Sequence, residues 1–267
     1  MDVAEHTEDI GGLPIHWRSA GRAAVPAVYV HGVPNASGMW APFLALTGGL
    51  APDLPGFGRS SKRGDLPFSI DFYDRFLESF LAHLGVDRCS LVMHDWGAVG
   101  LALAQRQPER IARLVLIDAV PFLPGFNWHR VGRVWRTRGV GEMVMGATTR
   151  WALNRSLPAE IAGEVWPHFD QGTQRAILRL YRSAPPDALA RAGRDLAHLD
   201  APALVVWGED DPYIPSRFAD AYAAALPHAE TNRVPHAGHW PWLDRIETVE
   251  RVASWLTPQT TSFRQAR

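Results

Sequence analysis

Apolar residues are distributed along this chain in two alternating ways. Predominantly apolar runs at Ala27–Val30, Cys89–Met93, Ile111–Ile117 and Ala203–Trp207, interrupted only by Ser90 and Arg113, read as strands buried on both faces, as in a parallel sheet covered by helices. Between them the apolar positions recur at helical spacing. Ile70, Phe72, Tyr73, Phe76, Leu77, Phe80 and Leu84 form a broad stripe over 69–84, and Gly85 suits the C-terminal cap. Trp96–Gln107 is a second helix, stopped by Pro108; Ser216–Leu226, with Ser216 as N-cap, is a third; Leu243–Trp255 is a fourth. Two extended stretches flanking Gly11-Gly12 predict a hairpin at the sheet edge, and Glu230–Val234 reads as the last strand. Such alternation implies a doubly wound, mostly parallel α/β sheet with chemistry at the carboxyl ends of its strands.

The texture changes at Pro121. Residues 121–198 show no clear strand and carry Phe122, Phe126, Trp128, Trp135, Trp151, Trp166, Phe169 and Tyr181, enough aromatic surface for a small core of their own and for the wall of an apolar pocket. A length of 267 residues accommodates one α/β core with such an insertion. With 46% hydrophobic and 21% charged residues, disorder and a membrane protein are both excluded as classes. Met1–Glu5 lacks the basic and apolar regions of a secretion signal, so a cytoplasmic protein is expected. A net charge of -1 gives no reason to expect nucleic acid or a membrane as partner. Cys89, the only cysteine, rules out an intramolecular disulfide and a cysteine metal site; its place inside a strand reads as a small buried hydrophobe. Lys62 is the only lysine. Arg130, Arg133, Arg136 and Arg138 alternate with Val131, Val134 and Trp135, which reads as the solvated face of an amphipathic helix rather than an anion site.

The candidate chemistry lies at His94-Asp95-Trp96-Gly97-Ala98, where a buried strand stops and a helix begins. A turn this tight strains its central residue and tolerates only small neighbours, so Gly97 and Ala98 let the helix start against the strand while Asp95 projects above the sheet. An aspartate is already an anion at neutral pH and can attack a saturated carbon without a base. The alkyl ester so formed then needs an activated water.

This stretch resembles the nucleophile elbow of the α/β-hydrolase superfamily, in the branch of epoxide hydrolases and haloalkane dehalogenases. Further motifs occur in the superfamily's order: His31-Gly32-Val33-Pro34, the loop Asp53 to Ser60, Gly208 to Asp211, and His236-Ala237-Gly238-His239-Trp240. The resemblance implies an eight-stranded α/β-hydrolase fold, with core segments 1–120 and 199–267 split by a helical cap at 121–198. It implies Asp95 as nucleophile, His239 as general base and Asp211 as the acid orienting it, Asp118 being the rival acid at the end of the sixth strand. Backbone N–H groups of Val33 and Trp96 would contact the oxyanion or leaving group. His31, Trp128, Trp135 and Trp240 would line the substrate pocket; the Asp53 loop would be structural.

Leu180-Tyr181-Arg182 resembles the W-Y-R segment of epoxide-hydrolase caps, whose tyrosine protonates the opening ring. The expected activity is therefore epoxide hydrolysis to a vicinal diol, with Tyr181 as the acid. Haloalkane dehalogenation is the alternative, and a coenzyme-independent oxygenase or a ligand-binding protein on the same fold stays open. The resemblance implies no cofactor, no metal, and a small apolar substrate, and leaves a homodimer open.

Overall fold

The computed structural model describes residues 1–257, and the polar tail expected to fray after Pro258 lies outside them. Eight strands, β1 (Val3–Ile10), β2 (Leu13–Ala20), β3 (Ala27–Val30), β4 (Gly49–Pro52), β5 (Cys89–His94), β6 (Ile111–Ile117), β7 (Ala203–Gly208) and β8 (Ala229–Val234), form one sheet in the order β1-β2-β4-β3-β5-β6-β7-β8. β1 and β2 pair antiparallel, as do β2 and β4; every other pairing is parallel. The opening hairpin turns on Gly11 and Gly12, both at positive φ (63° and 79°), as a two-residue turn matching strand twist requires.

Alternate residues of the central strands enter two separate cores. Val28, Val30, Leu91, Met93, Leu114, Leu116 and Val205 pack on one face of the sheet. Tyr29, Val92, Val115, Ile117, Leu204 and Val206 pack on the other. Both faces being dry is why these strands are apolar nearly throughout rather than at alternate positions. The edges differ: β1, mostly exposed, carries Glu5, Glu8 and Asp9, and β8, exposed at Glu230 and Thr231, also carries Arg233.

The core helices are α1 (Ala41–Thr47), α2 (Ile70–His83) and α3 (Gly100–Arg106). Ser69 caps α2, its hydroxyl accepting the Phe72 N–H at 3.2 Å. Residues 121–198 hold α4 (Arg130–Arg136), α5 (Val140–Gly146), α6 (Arg150–Ser156), α7 (Ala159–Val165), α8 (Gln171–Ser183) and α9 (Pro186–Ala192), and no strand. Helices α10 (Arg217–Ala225), α11 (Pro241–Asp244) and α12 (Glu247–Leu256) follow in the last part of the described residues.

Three expected boundaries need correction. Between Asp95 and Val99 the chain is a tight 3-10 turn, and α3 starts only at Gly100, because the close approach to β3 leaves no room for a wider helix. Ser216 precedes α10 but its hydroxyl caps nothing, since its backbone is already helical. The last helix is broken at Arg245, whose extended backbone separates α11 from α12.

Candidate active site

The strand order reverses between β3 and β5, and the crevice above that point is where open α/β sheets bind ligands. The turns after these two strands bring Val33 and Asp95 together. Asp95 sits at φ 50°, in the left-handed region that a non-glycine residue enters only at a local cost of order 1–3 kcal/mol. Two glycines permit this. A Cβ on Gly97 would lie 2.0 Å from the Val30 carbonyl oxygen, and one on Gly32 would lie 2.4 Å from the Asp95 carboxylate.

The Val33 N–H donates to Asp95 Oδ2 at 2.8 Å. Burial pushes the Asp95 carboxyl up to about 6, against the pull of His239 and of the Val33 and Trp96 backbone N–H groups. The group is therefore an anion at neutral pH, but a poorly solvated one, which favours attack. Above it, His239 Nε2 lies 3.8 Å from Asp95 Oδ1, and His239 Nδ1 donates to Asp211 Oδ2 at 2.7 Å. Asp211 Oδ1 accepts the N–H groups of Tyr213 and Ile214 at 2.7 and 3.1 Å. Burial alone would raise Asp211, but the His239 charge and these bonds hold it below the usual range. Burial likewise opposes a charged His239, yet Asp211 and Asp95 outweigh it and raise the imidazole pKa.

Asp118, the rival acid, is fully buried at φ 41°, with Oδ1 accepting the Gly208 N–H at 3.0 Å. It lies behind Asp211 and does not line the pocket. Asp118, Asp211 and His239 offer donor atoms within 4.8 Å of one another. The 2.7 Å contact of Asp211 with His239 is a hydrogen bond, not two ligands facing a shared ion.

A cavity of about 260 Å³ opens above Asp95, and its wall includes Val33, Trp128, Trp135, Tyr181, His239 and Trp240. Most of the remaining lining is aliphatic, from Val131 on α4 and Val144 on α5 to Ile214 after β7. Such a site suits a small apolar ligand. Tyr181 on α8 packs edge-on to Trp96 and Trp135 and tilted against Trp128, with ring centroids 5.3, 5.0 and 4.6 Å apart. Burial and the Asp95 charge raise its hydroxyl well above the usual value, so it remains a neutral donor. Trp96 is completely buried; its indole Nε1 makes no hydrogen bond of good geometry, and the group nearest to accepting from it is the Tyr181 hydroxyl. Trp128, by contrast, spends its indole N–H on the Ala184 carbonyl at 2.9 Å.

His31 does not reach the pocket it was expected to line. Its ring is turned under the loop, Nδ1 donating to the Gly32 carbonyl and Nε2 accepting the Leu54 N–H at 2.9 Å. It braces the turn that aims Val33. The Asp53 loop has a comparable place, its carboxylate accepting the Ser37 and Arg59 N–H groups. Tyr213 is a pocket residue that the sequence motifs did not single out. Tyr213 stacks edge-on to His239 at 5.1 Å, and its position two residues after Asp211 was the available signal. His129, like Trp135 a candidate from the sequence for the place of a second cap tyrosine, lines the cavity from the start of α4, where burial lowers its imidazole to about 4 and leaves it neutral.

The sequence profile described as the Alpha/beta hydrolase family matches residues 27–252, most of the chain. The chain belongs to the α/β-hydrolase family. This α/β hydrolase is 32% identical to a protein of Mycobacterium marinum named haloalkane dehalogenase, over 96% of this chain and 92% of that one. It is 28% identical to a haloalkane dehalogenase of Bradyrhizobium diazoefficiens, over 92% and 91% of the two chains. Among solved structures, the haloalkane dehalogenase DbeA from Bradyrhizobium elkani superposes with a TM-score of 0.83 at 26% identity, covering 96% of this α/β hydrolase and 98% of that chain.

Proposed function

We propose that the protein is a haloalkane dehalogenase. Asp95 attacks the carbon bearing the halogen, a C–O bond forms as the C–X bond breaks, and the halide departs with the bonding pair. His239 then takes a proton from the water that attacks the ester carbonyl and returns it to the departing alkoxide, which leaves as the alcohol, and loss of the second water proton restores the Asp95 carboxylate. Asp211 holds the imidazole with Nδ1 protonated, so that Nε2 faces the nucleophile as an acceptor.

The observation that carries this reading is the Trp96 indole. A buried N–H left short of a good acceptor is costly, and this one lies beside the nucleophile with only the Tyr181 hydroxyl near it. A halide leaving Asp95 would satisfy it. The departing anion needs donors and no proton, and the Tyr181 hydroxyl, next to the indole, supplies a second donor. The named similarities to dehalogenases over nearly the whole chain support the same choice. Epoxide hydrolysis, the first expectation, now rests on Tyr181 alone, and that hydroxyl serves a halide as well as an alkoxide.

Matched panels of small haloalkanes and epoxides, assayed with the purified protein for halide and for diol, decide between the two. Trp96→Phe should reduce halide release roughly 10²-fold, the scale for removing one donor to a developing anion. Tyr181→Phe should cost about tenfold or less in halide release. A loss of diol formation of ~10²–10⁴ in that variant, with no halide released by the wild type, would restore the epoxide reading.

The pH dependence follows from the two raised pKa values. Alkylation needs Asp95 ionised and is lost as pH falls through about 6. Ester hydrolysis needs neutral His239 and is lost earlier, as pH falls through a value above the ordinary 6.5. Steady-state kcat should therefore show an acid limb above 6.5, with alkyl ester building up on rapid quenching between the two limits. An acid limb below about 6 would contradict His239 as the base.

A further inference from the structure

Asp118 has no part in these steps, yet it is the fully enclosed carboxyl behind them. Its Oδ1 is occupied by the Gly208 N–H, whereas its Oδ2 has no exposure and no partner. One of its oxygens, one of Asp211 and an imidazole nitrogen of His239 all lie within 4.8 Å of one another. Among the described residues no arginine or lysine pairs with either carboxylate; the charged groups facing Asp118 are Asp211, His239 and Asp95.

Two carboxylates this close in a water-free place do not both ionise. The donors decide which one keeps the proton. Asp211 receives three, from His239 Nδ1 and from the N–H groups of Tyr213 and Ile214, so its charged form is well held. Asp118 receives one. We infer that Asp118 is a neutral carboxylic acid whose Oδ2–H donates to the Asp211 carboxylate, a positioning residue that fixes the partner of His239 from behind. Burial first, and then the Asp211 charge, hold the Asp118 carboxyl well above the usual carboxylate range, consistent with this assignment. The pair carries one negative charge, so His239 is tuned by a single anion although two aspartates stand behind it.

The role in turnover rests on the reading of His239 as hydrolytic base; the protonation state does not. Infrared difference spectra of the substrate-free wild type against Asp118→Asn, in water and in deuterium oxide at neutral pH, should contain a deuterium-sensitive protonated-carboxyl band that the variant lacks. That result stands or falls without any activity being known. In turnover, Asp118→Asn keeps a neutral donor to Asp211, so kcat should stay within about tenfold and the acid limb should not move. Asp118→Ala removes the donor and should lose a further tenfold or more, the scale of one hydrogen bond to a charged group. Absence of the band, a downward move of the acid limb in Asp118→Asn, or equal kcat in the Asn and Ala variants would each overturn the assignment. If the Ala variant fails to fold, the band and the limb of the Asn variant still decide.

Discussion

Replacing His239 by glutamine is expected to stop the enzyme after one halide per active site. The alkylation step uses only the Asp95 carboxylate, which the Val33 N–H continues to orient at 2.8 Å. Ester hydrolysis loses its base, and a positioned general base is worth roughly 10²–10⁴-fold. The alkyl ester should therefore accumulate on Asp95. Intact-protein mass spectrometry should show a mass increase equal to the alkyl group of whichever haloalkane is supplied, and peptide mapping should place it at Asp95. The adduct forms where Asp95 and His239 are only 5% and 4% exposed, so stray water has little access to it. A variant that still binds substrates of the wild type yet never carries an adduct would exclude the covalent route.

Asp211→Asn should lower kcat by about 10⁴-fold with little change in fold, the scale known for a triad acid whose loss puts the imidazole in the wrong tautomer. The asparagine oxygen can still accept the Tyr213 and Ile214 N–H groups that Asp211 Oδ1 now holds. Its amide then faces His239 Nδ1 as a donor, which leaves the proton on Nε2. That nitrogen looks toward Asp95 at 3.8 Å and is the one that must accept from water. Single-turnover kinetics should show alkylation surviving and hydrolysis lost. If instead Asp211→Asn kept most of its activity while Asp118→Asn lost it, the acid would sit at the end of β6.

The parts of the site that could be read from the chain are those in which strand, turn and helix follow one another locally. Asp95 was legible because an apolar run, a small-residue turn and a helix occupy consecutive positions, and Asp211 and His239 because each follows a strand in a short motif. β4 was not read from its residues: Gly49–Pro52 is four residues long and carries a glycine and a proline, so it lacks the β-branched run that marks its neighbours. His31 was misplaced because its ring direction depends on Leu54, 23 residues away, whose N–H it accepts. The nearness of Asp118 to Asp211 follows from the pairing of β6 with β7, where the Asp118 N–H meets the Val206 carbonyl, and no local pattern announces it. His129 enters the pocket only through the docking of α4 against the core, which is tertiary information.

The open margins of the sheet have a consequence for the molecule at high concentration. An eight-residue strand with one side unpaired is a template on which another chain can lay its own backbone. Here a second β1 approaching in register would bring Glu5, Glu8 and Asp9 into the company of their own copies, and like charges meeting across strands are unfavourable. At the far margin, Glu230 and Arg233 share a strand of only six residues with the exposed Thr231. The sheet is thus terminated at both ends by charge, which works against fibrous stacking and leaves any pairing of whole molecules to other surfaces.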